Sequence, residues 1–207
     1  MDHEEQLKQL REQVPVGLRH AALLLEKAGG DVIAARQLFI QEVQAIMLSK
    51  TTAPREMVLQ LLEQHHYDIP RTLTAIEAAL YTITERILRK IGNNPEAVID
   101  KVALAVETAT PLHRNYWLPL DTMALPNSCQ QTFMVVHEWL SYEGYEGFDS
   151  ALYFYRELAG TTLRDRLSCA EAAAAIREGD AAAFDLHRES VIQQLYQLVV
   201  NNISQFP

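Results

Sequence analysis

A helix–glycine–helix pattern near the N-terminus constrains the fold more than any other feature of the sequence. Residues 23–39 read LLLEKAGGDVIAARQLF, in which two helical runs are separated by Gly29 and Gly30. Glycine commonly ends a helix because it adopts backbone angles that other residues avoid. Asp31 follows as an N-cap, since its carboxylate can accept the free backbone N–H groups of the next turn. The stretch therefore predicts two helices joined by a tight turn.

The same pattern returns in residues 51–80, which indicates an internal repeat. A displacement of 37 residues aligns the copies without a gap, and His66 and Tyr67 then replace the glycine pair. Pro70 falls in the first turn of the following helix, where its missing N–H is not needed. A weaker third copy is expected in residues 135–158, with its turn at residues 144–146. Repeated short helical units are typical of modular or solenoid proteins.

The composition indicates an all-α protein. Gly and Pro number eight each, and no long run alternates with the two-residue period of a half-buried strand. Pro111, Pro119 and Pro126 interrupt the helical pattern. The sequence thus predicts two helical modules in residues 1–106, a proline-containing connection in residues 107–128, and an acidic helical half in residues 129–207.

Charge argues against nucleic acid and membrane as direct partners. The formal net charge is −9, and residues 1–92 hold 12 acidic against 11 basic residues, so the excess lies in the second half. Nucleic acid and anionic membranes are normally bound by clustered Lys and Arg. The N-terminal MDHEEQLKQL is acidic, and the apolar runs are too short to span a bilayer. A cytoplasmic protein is expected.

The first module extends over residues 11–39 and reads REQVPVGLRHAALLLEKAGGDVIAARQLF. This stretch resembles the UBA-like N-terminal domain of bacterial elongation factor Ts. The matching residues are Arg11, Glu12, Gly17, Leu25, Glu26, Ala28, Gly29, Gly30, Asp31 and Ala35. The resemblance implies tandem UBA-like helical modules packed into a multi-helix bundle or a short solenoid, with residues 51–80 as the second module.

The resemblance also implies where such a module binds another macromolecule. The contact residues would be Val16, Gly17 and Leu18 in the loop after the first helix, with Leu38 and Phe39 at the end of the third. Three short helices leave apolar side chains uncovered, and a partner can fill that patch. In a solenoid the same faces instead bury one another. A protein associated with translation, binding an elongation factor, is a further alternative.

The acidic half contains a second candidate binding surface. Seven of the 16 aromatic residues lie in residues 139–155, where Glu143, Glu146 and Asp149 have no basic neighbour in sequence. Aromatic rings give large contact area at low entropy cost, and carboxylates around them select a basic partner. The predicted contact residues are Trp139, Tyr142, Tyr145 and Phe148. Alternatively, Trp139, Phe148 and Phe154 belong to the core.

No catalytic, cofactor or metal site is expected from the motifs. His137-Glu138 lacks the second His of a zinc helix, because residue 141 is Ser. Cys129 and Cys169 fit neither a zinc site nor a disulfide framework. No nucleophile motif, phosphate loop or dinucleotide fingerprint is present.

The sequence therefore favours a non-enzymatic adaptor or regulatory protein that binds another, basic protein. The alternative from another functional class is a helical enzyme or small-ligand binder. Its pocket would lie between the halves and be lined by His113, Tyr116, Trp117 and His137. The sequence leaves the identity of the partner and the oligomeric state open.

Overall fold

The computed structural model describes residues 2–207, in which twelve α-helices are followed by a 3₁₀ turn at Ile203–Gln205. Extended pairing in these residues is limited to an isolated bridge between Asn115 and Trp117. The predicted all-α, multi-helix fold is confirmed. The helices are α1 His3–Gln13, α2 Leu18–Lys27, α3 Val32–Lys50, α4 Arg55–Gln64, α5 Ile69–Leu80, α6 Ile83–Ile91, α7 Pro95–Ala109, α8 Ser128–Glu146, α9 Phe148–Ala151, α10 Arg156–Arg166, α11 Ala170–Glu178 and α12 Ala181–Asn201.

The chain divides into two compact units, a first unit ending at Tyr81 and a second unit from Thr82 to Pro207. The division lies ahead of the proline-containing segment, whereas the sequence analysis placed its boundary at residues 107–128. Leu118, Leu120 and Met123 of that segment are buried in the core of the second unit. The prolines end the helical pattern, but the apolar residues between them are packed as core residues.

The core of the first unit comes from the apolar stripes of α1 to α5 and from the loop between α1 and α2. Its buried side chains are Leu10, Val14, Val16, Ala21, Leu24, Leu25, Val32, Ala35, Phe39, Val43, Met47, Val58, Leu62 and Ile76. The buried positions of α3 are Val32, Ala35, Phe39, Ile40, Val43 and Met47, which recur at the spacing of one helical face. Burial of such a stripe against neighbouring helices supplies most of the stability of short helices.

The two turns of the repeat have the same hydrogen bonds. The N–H of Gly30 donates to the carbonyl of Leu25 at 2.8 Å, and 37 residues later Tyr67 donates to Leu62 at 2.7 Å. In each copy an aspartate caps the following helix with its carboxylate, as the sequence predicts for the first. The repeat is therefore present in the local backbone geometry of the first unit.

The second unit is built around α8, whose buried residues contact α7, α10 and α12. Trp139, Phe133 and Phe184 are among its largest fully buried side chains. The ends of the unit also meet, because the N–H of Thr84 donates to the carbonyl of Pro207 at 2.7 Å. No helix in residues 2–207 combines the length and the hydropathy that crossing a membrane requires.

Gly147 ends α8 slightly later than the sequence predicts. The helix continues through Gly144 and Tyr145, and the chain turns at Gly147 with a φ of 86°. Only glycine adopts this conformation readily, so the break falls at the second glycine of the stretch. A similar break occurs at Gly179, with a φ of 76°, after which Asp180 caps α12.

Candidate functional site

A partly buried ion pair fixes the loop that follows α7. The side chain of Glu138 on α8 is only 1% exposed, and its carboxylate accepts two hydrogen bonds from the guanidinium of Arg114, at 2.7 and 2.9 Å. The backbone N–H of Leu118 donates to the same carboxylate at 2.8 Å. Hydrogen bonds to Glu107, and then to Glu138, raise the pKa of Arg114 above its ordinary value. Glu138 thus holds both ends of residues 114–118.

Within this loop the backbone of Tyr116 is strained. The N–H of Asn115 donates to the carbonyl of Trp117 at 3.3 Å, which folds the chain back on itself. Tyr116 lies between them with a φ of 71°, and its side chain is 84% exposed. A non-glycine residue in this left-handed region costs about 1–2 kcal/mol. Such strain persists only where surrounding contacts impose it, and it is concentrated at functional sites.

Five aromatic side chains, from this loop, from α8 and from the segment after α9, form a surface that we call the aromatic surface. Its members are Tyr116, Trp117, Tyr142, Tyr145 and Phe154. Trp117 lies at its centre, with its ring centroid 5.8 Å from Tyr116, 5.0 Å from Tyr142, 6.0 Å from Tyr145 and 6.2 Å from Phe154. Tyr142 and Phe154 stack at 4.1 Å with nearly parallel planes. All these separations lie in or near the range in which aromatic rings attract one another, so the cluster is held together.

The side chains on the two sides of Trp117 face solvent. Tyr145 is 84% exposed, as is Tyr116, whereas Trp117, Tyr142 and Phe154 are half-buried. Tyrosine tolerates exposure better than phenylalanine because its hydroxyl is hydrated. The surface therefore combines anchored rings with two exposed ones.

The charges beside the aromatic surface are negative. Glu146 and Asp149 adjoin it in the chain, both are exposed, and neither forms an ion pair within residues 2–207. The hydroxyl of Tyr155 donates to Asp121 at 2.9 Å. Burial, and then this hydrogen bond, raise the pKa of Tyr155. Glu143 differs from the expectation, because it is buried and accepts a hydrogen bond from Arg188 at 2.5 Å.

The structure separates the four contact residues that the sequence predicted in the acidic half. Tyr142 and Tyr145 belong to the aromatic surface. Trp139 and Phe148 are buried in the core, and the indole N–H of Trp139 donates to the carbonyl of Ala151 at 3.2 Å. These two are a correction: Trp139 on α8 and Phe148 on α9 pack against each other and against Phe184 in the core. Residues 116 and 117 come from a distant stretch, so helical spacing along residues 139–155 gave no signal for them.

The five contact residues predicted in the first unit also differ in their exposure to solvent. Val16 and Phe39 are largely buried, yet with Gly17 they line an apolar groove of about 340 Å³. Leu18 is exposed on α2, and Leu38 is half-buried against the core. The remaining residues of the groove are Pro15, His20, Glu42, Val43, Ile46, Tyr67, Asp68, Ile69 and Pro70.

His137, the histidine considered as a metal ligand, has other contacts. His137 stacks on Phe133 at 5.8 Å, and its Nε2 lies 3.2 Å from a carboxylate oxygen of Asp100. The hydrogen bond with His137 lowers the pKa of Asp100. Within residues 2–207 no three His, Cys, Asp or Glu side chains are grouped to hold a metal ion. Burial, followed by the charge of Glu171, raises the pKa of the Cys169 thiol.

Comparison with known proteins relates the second unit to a family. Residues 82–183 match the YfbN C-terminal domain family. The match begins at the first residue of the second unit and includes the whole aromatic surface. The chain is also 36% identical, over 154 residues, to a protein of Escherichia coli strain K12 that is described as uncharacterized protein YfbN. That alignment covers 74% of this chain and 64% of the relative's length. No solved structure matches significantly.

These comparisons correct the resemblance to elongation factor Ts, which is wrong as a family assignment. Neither comparison points to that factor or to a UBA domain. The residues that suggested it have a general structural role, because Gly29 and Gly30 both have positive φ and Asp31 caps α3. Any sequence that ends one helix and caps the next within a few residues favours this combination.

Proposed function

We propose that the chain is a non-enzymatic interaction protein whose aromatic surface binds a basic segment of another protein. The observation that carries this proposal is the exposure of Tyr116 and Tyr145 on either side of Trp117, in a loop with a strained residue at its tip. Large exposed rings in contact with one another are the usual anchors of a protein interface. The proposal requires no other surface of the chain for binding.

The rigidity of the aromatic surface also supports a role in binding. Arg114 and Glu138 fix the loop, and stacking on Phe154 fixes Tyr142, so little side-chain freedom is lost when a partner binds. Preorganised aromatic rings also bind the guanidinium of arginine favourably through their faces. The carboxylates of Glu146 and Asp149 would attract such a residue over longer distances.

The proposal is tested by affinity purification from the cells that produce the protein, followed by mass spectrometry. The double variant Tyr116→Ser/Tyr145→Ser removes the two exposed rings, and both positions are too exposed to disturb the core. We expect a partner with a basic segment to be recovered with the wild type and lost with the variant. Leu104→Ser is the matched control, because Leu104 is 65% exposed on α7.

The outcome depends on comparing the two variants. Retention of every partner by the double variant, with an unchanged circular dichroism spectrum, would overturn the proposal. Loss of the same partners by Leu104→Ser would also overturn it, since the aromatic surface would then have no specific role.

A further inference from the structure

The second unit contains a basic groove that has no part in the aromatic surface. It lies between α10 and α11 and has a volume of about 240 Å³. Arg156, Arg164 and Arg177 line it, and Glu157 is the only acidic side chain among the lining residues. The chain as a whole carries a formal charge of −9, so a concentration of three arginines is unusual for this protein.

Two arginines of the groove form ion pairs that are exposed to solvent. Arg164 donates two hydrogen bonds to Asp165, at 2.7 and 3.1 Å, and Arg177 donates one to Glu178 at 3.1 Å. Each pair joins exposed neighbours in sequence. Exposed pairs of this kind contribute little to stability, so their guanidinium groups can turn to a ligand at low cost.

One nitrogen of the Arg156 guanidinium lacks a hydrogen-bond acceptor. It donates from one terminal nitrogen to the backbone carbonyl of Arg177, whereas its Nε is buried and has no acceptor within residues 2–207. Buried donors without an acceptor are rare in folded proteins. A ligand with a hydrogen-bond acceptor at this end of the groove would supply the missing partner.

The floor of the groove is formed by small side chains. Gly160 on α10 faces α11, and a Cβ at this position would lie at an ordinary contact distance of 3.9 Å from the carbonyl oxygen of Ala173. Ala170 and Ala174 complete a floor of small side chains. A planar group can lie against such a surface without displacing a side chain.

The start of α11 adds unpaired donors. No side chain caps this nine-residue helix, and Ala170, its first residue, lines the groove together with Arg164. The free N–H groups at a helix N-terminus favour phosphate, particularly beside a guanidinium. Arg156 and Arg177 mark the other end, about 10 Å away at the rise of an α-helix.

We propose that this groove binds a small organic phosphate. The phosphate is held by Arg164 and the N-terminus of α11, and a planar body lies on the alanine and glycine floor toward Arg156 and Arg177. The three arginines, the uncapped helix, the orphaned Nε and the small-residue floor are four separate observations that this ligand class satisfies together.

Isothermal titration calorimetry of the full chain with AMP and with inorganic phosphate tests the proposal. We expect saturable binding of both probes, with AMP the tighter. Arg164→Gln should weaken both by about tenfold or more, the effect of losing one charge-assisted hydrogen bond. Ala174→Leu raises the floor and should weaken AMP while leaving inorganic phosphate unchanged. Arg166→Gln is the control, since Arg166 is exposed on α10 outside the groove.

Two results would overturn the proposal. One is the absence of saturable binding of either probe at millimolar concentration. The other is an equal loss of affinity in Arg164→Gln and Arg166→Gln, which would indicate general attraction of anions. Thermal unfolding of each variant verifies that it is folded, and Arg177→Gln provides a second variant at the opposite end of the groove.

Discussion

At the scale of single residues, the two turns of the first unit show how one backbone geometry is reached with different amino acids. Gly29 and Gly30 have φ values of 60° and 84°, and at the equivalent positions His66 and Tyr67 have 52° and 62°. Glycine adopts these angles without strain, whereas His and Tyr do not. Tyr67 compensates through its half-buried ring, which packs against the core, but His66 is exposed.

His66→Gly should therefore stabilise the protein. Relief of the left-handed strain raises the free energy of unfolding by roughly 1 kcal/mol after the greater backbone freedom of glycine in the unfolded chain is subtracted. Urea denaturation measures the change. His65→Gly is the matched control: His65 has a φ of −98°, so no strain is relieved and the substitution should destabilise. A loss of stability in His66→Gly would show that the turn is not strained.

Tyr155 should make stability fall at high pH. Its pKa in the folded protein is raised above the ordinary value of 10.0, so the folded state holds the phenol proton more tightly than the unfolded state. This contribution is fully present below pH 10 and is lost as the pH rises through the folded pKa. Tyr155→Phe should show a smaller decrease in the free energy of unfolding above pH 10 than the wild type. An identical decrease in both proteins would contradict this assignment.

At the scale of helices and loops, some features could be predicted from local sequence and others could not. Asp31 was readable as a cap because a cap depends on residues two or three positions away. Arg114 and Glu138 are 24 positions apart in the sequence, so no local sequence pattern predicts their ion pair. The aromatic surface was only half predictable for the same reason. Tyr142 and Tyr145 were predicted as contact residues, whereas Tyr116 and Trp117 were assigned to the pocket of the alternative hypothesis.

Glu138→Gln tests whether this partly buried pair holds the loop. Arg114 is about one-third exposed and keeps its pair with Glu107, so removing the charge of Glu138 should lower the free energy of unfolding by about 1–2 kcal/mol. The fluorescence of Trp117 should also shift to longer wavelength as the loop is released into water. Glu146→Gln, at an exposed position of the same helix, is the control and should change stability by less than about 0.5 kcal/mol.

Either of two results would contradict the role given to Glu138. Unchanged stability would mean that the pair does not contribute to folding. Lower stability with unchanged Trp117 fluorescence would mean that the loop keeps its position without the pair.

At the scale of the whole molecule, composition was sufficient for the fold class but insufficient for the boundary between units. Helix formers and the lack of strand periodicity predicted an all-α protein correctly. Three prolines suggested a connection at residues 107–128, whereas the units divide after Tyr81. Proline indicates where a helix ends. The burial of Leu118 and Leu120 shows that a segment without helices can still belong to a core.

The division predicts that residues 82–207 fold on their own. This fragment contains a complete core, and its two ends are joined through Thr84 and Pro207. We expect a single cooperative thermal transition and the dispersed amide signals of a folded protein in an NMR spectrum. A broad transition with collapsed amide signals would show that the fragment depends on the first unit.

A fluorescence titration of Trp117 tests the proposed binding function most directly. An arginine-rich peptide is added to the wild type and to Tyr116→Ser/Tyr145→Ser, with a second peptide in which glutamine replaces arginine as the control. Trp139 contributes a constant background, because it is fully buried. We predict a saturable change with the arginine-rich peptide that weakens with salt and is lost in the double variant. No change in the wild type, or an equal change in the variant, would contradict the assignment of the aromatic surface as a binding site.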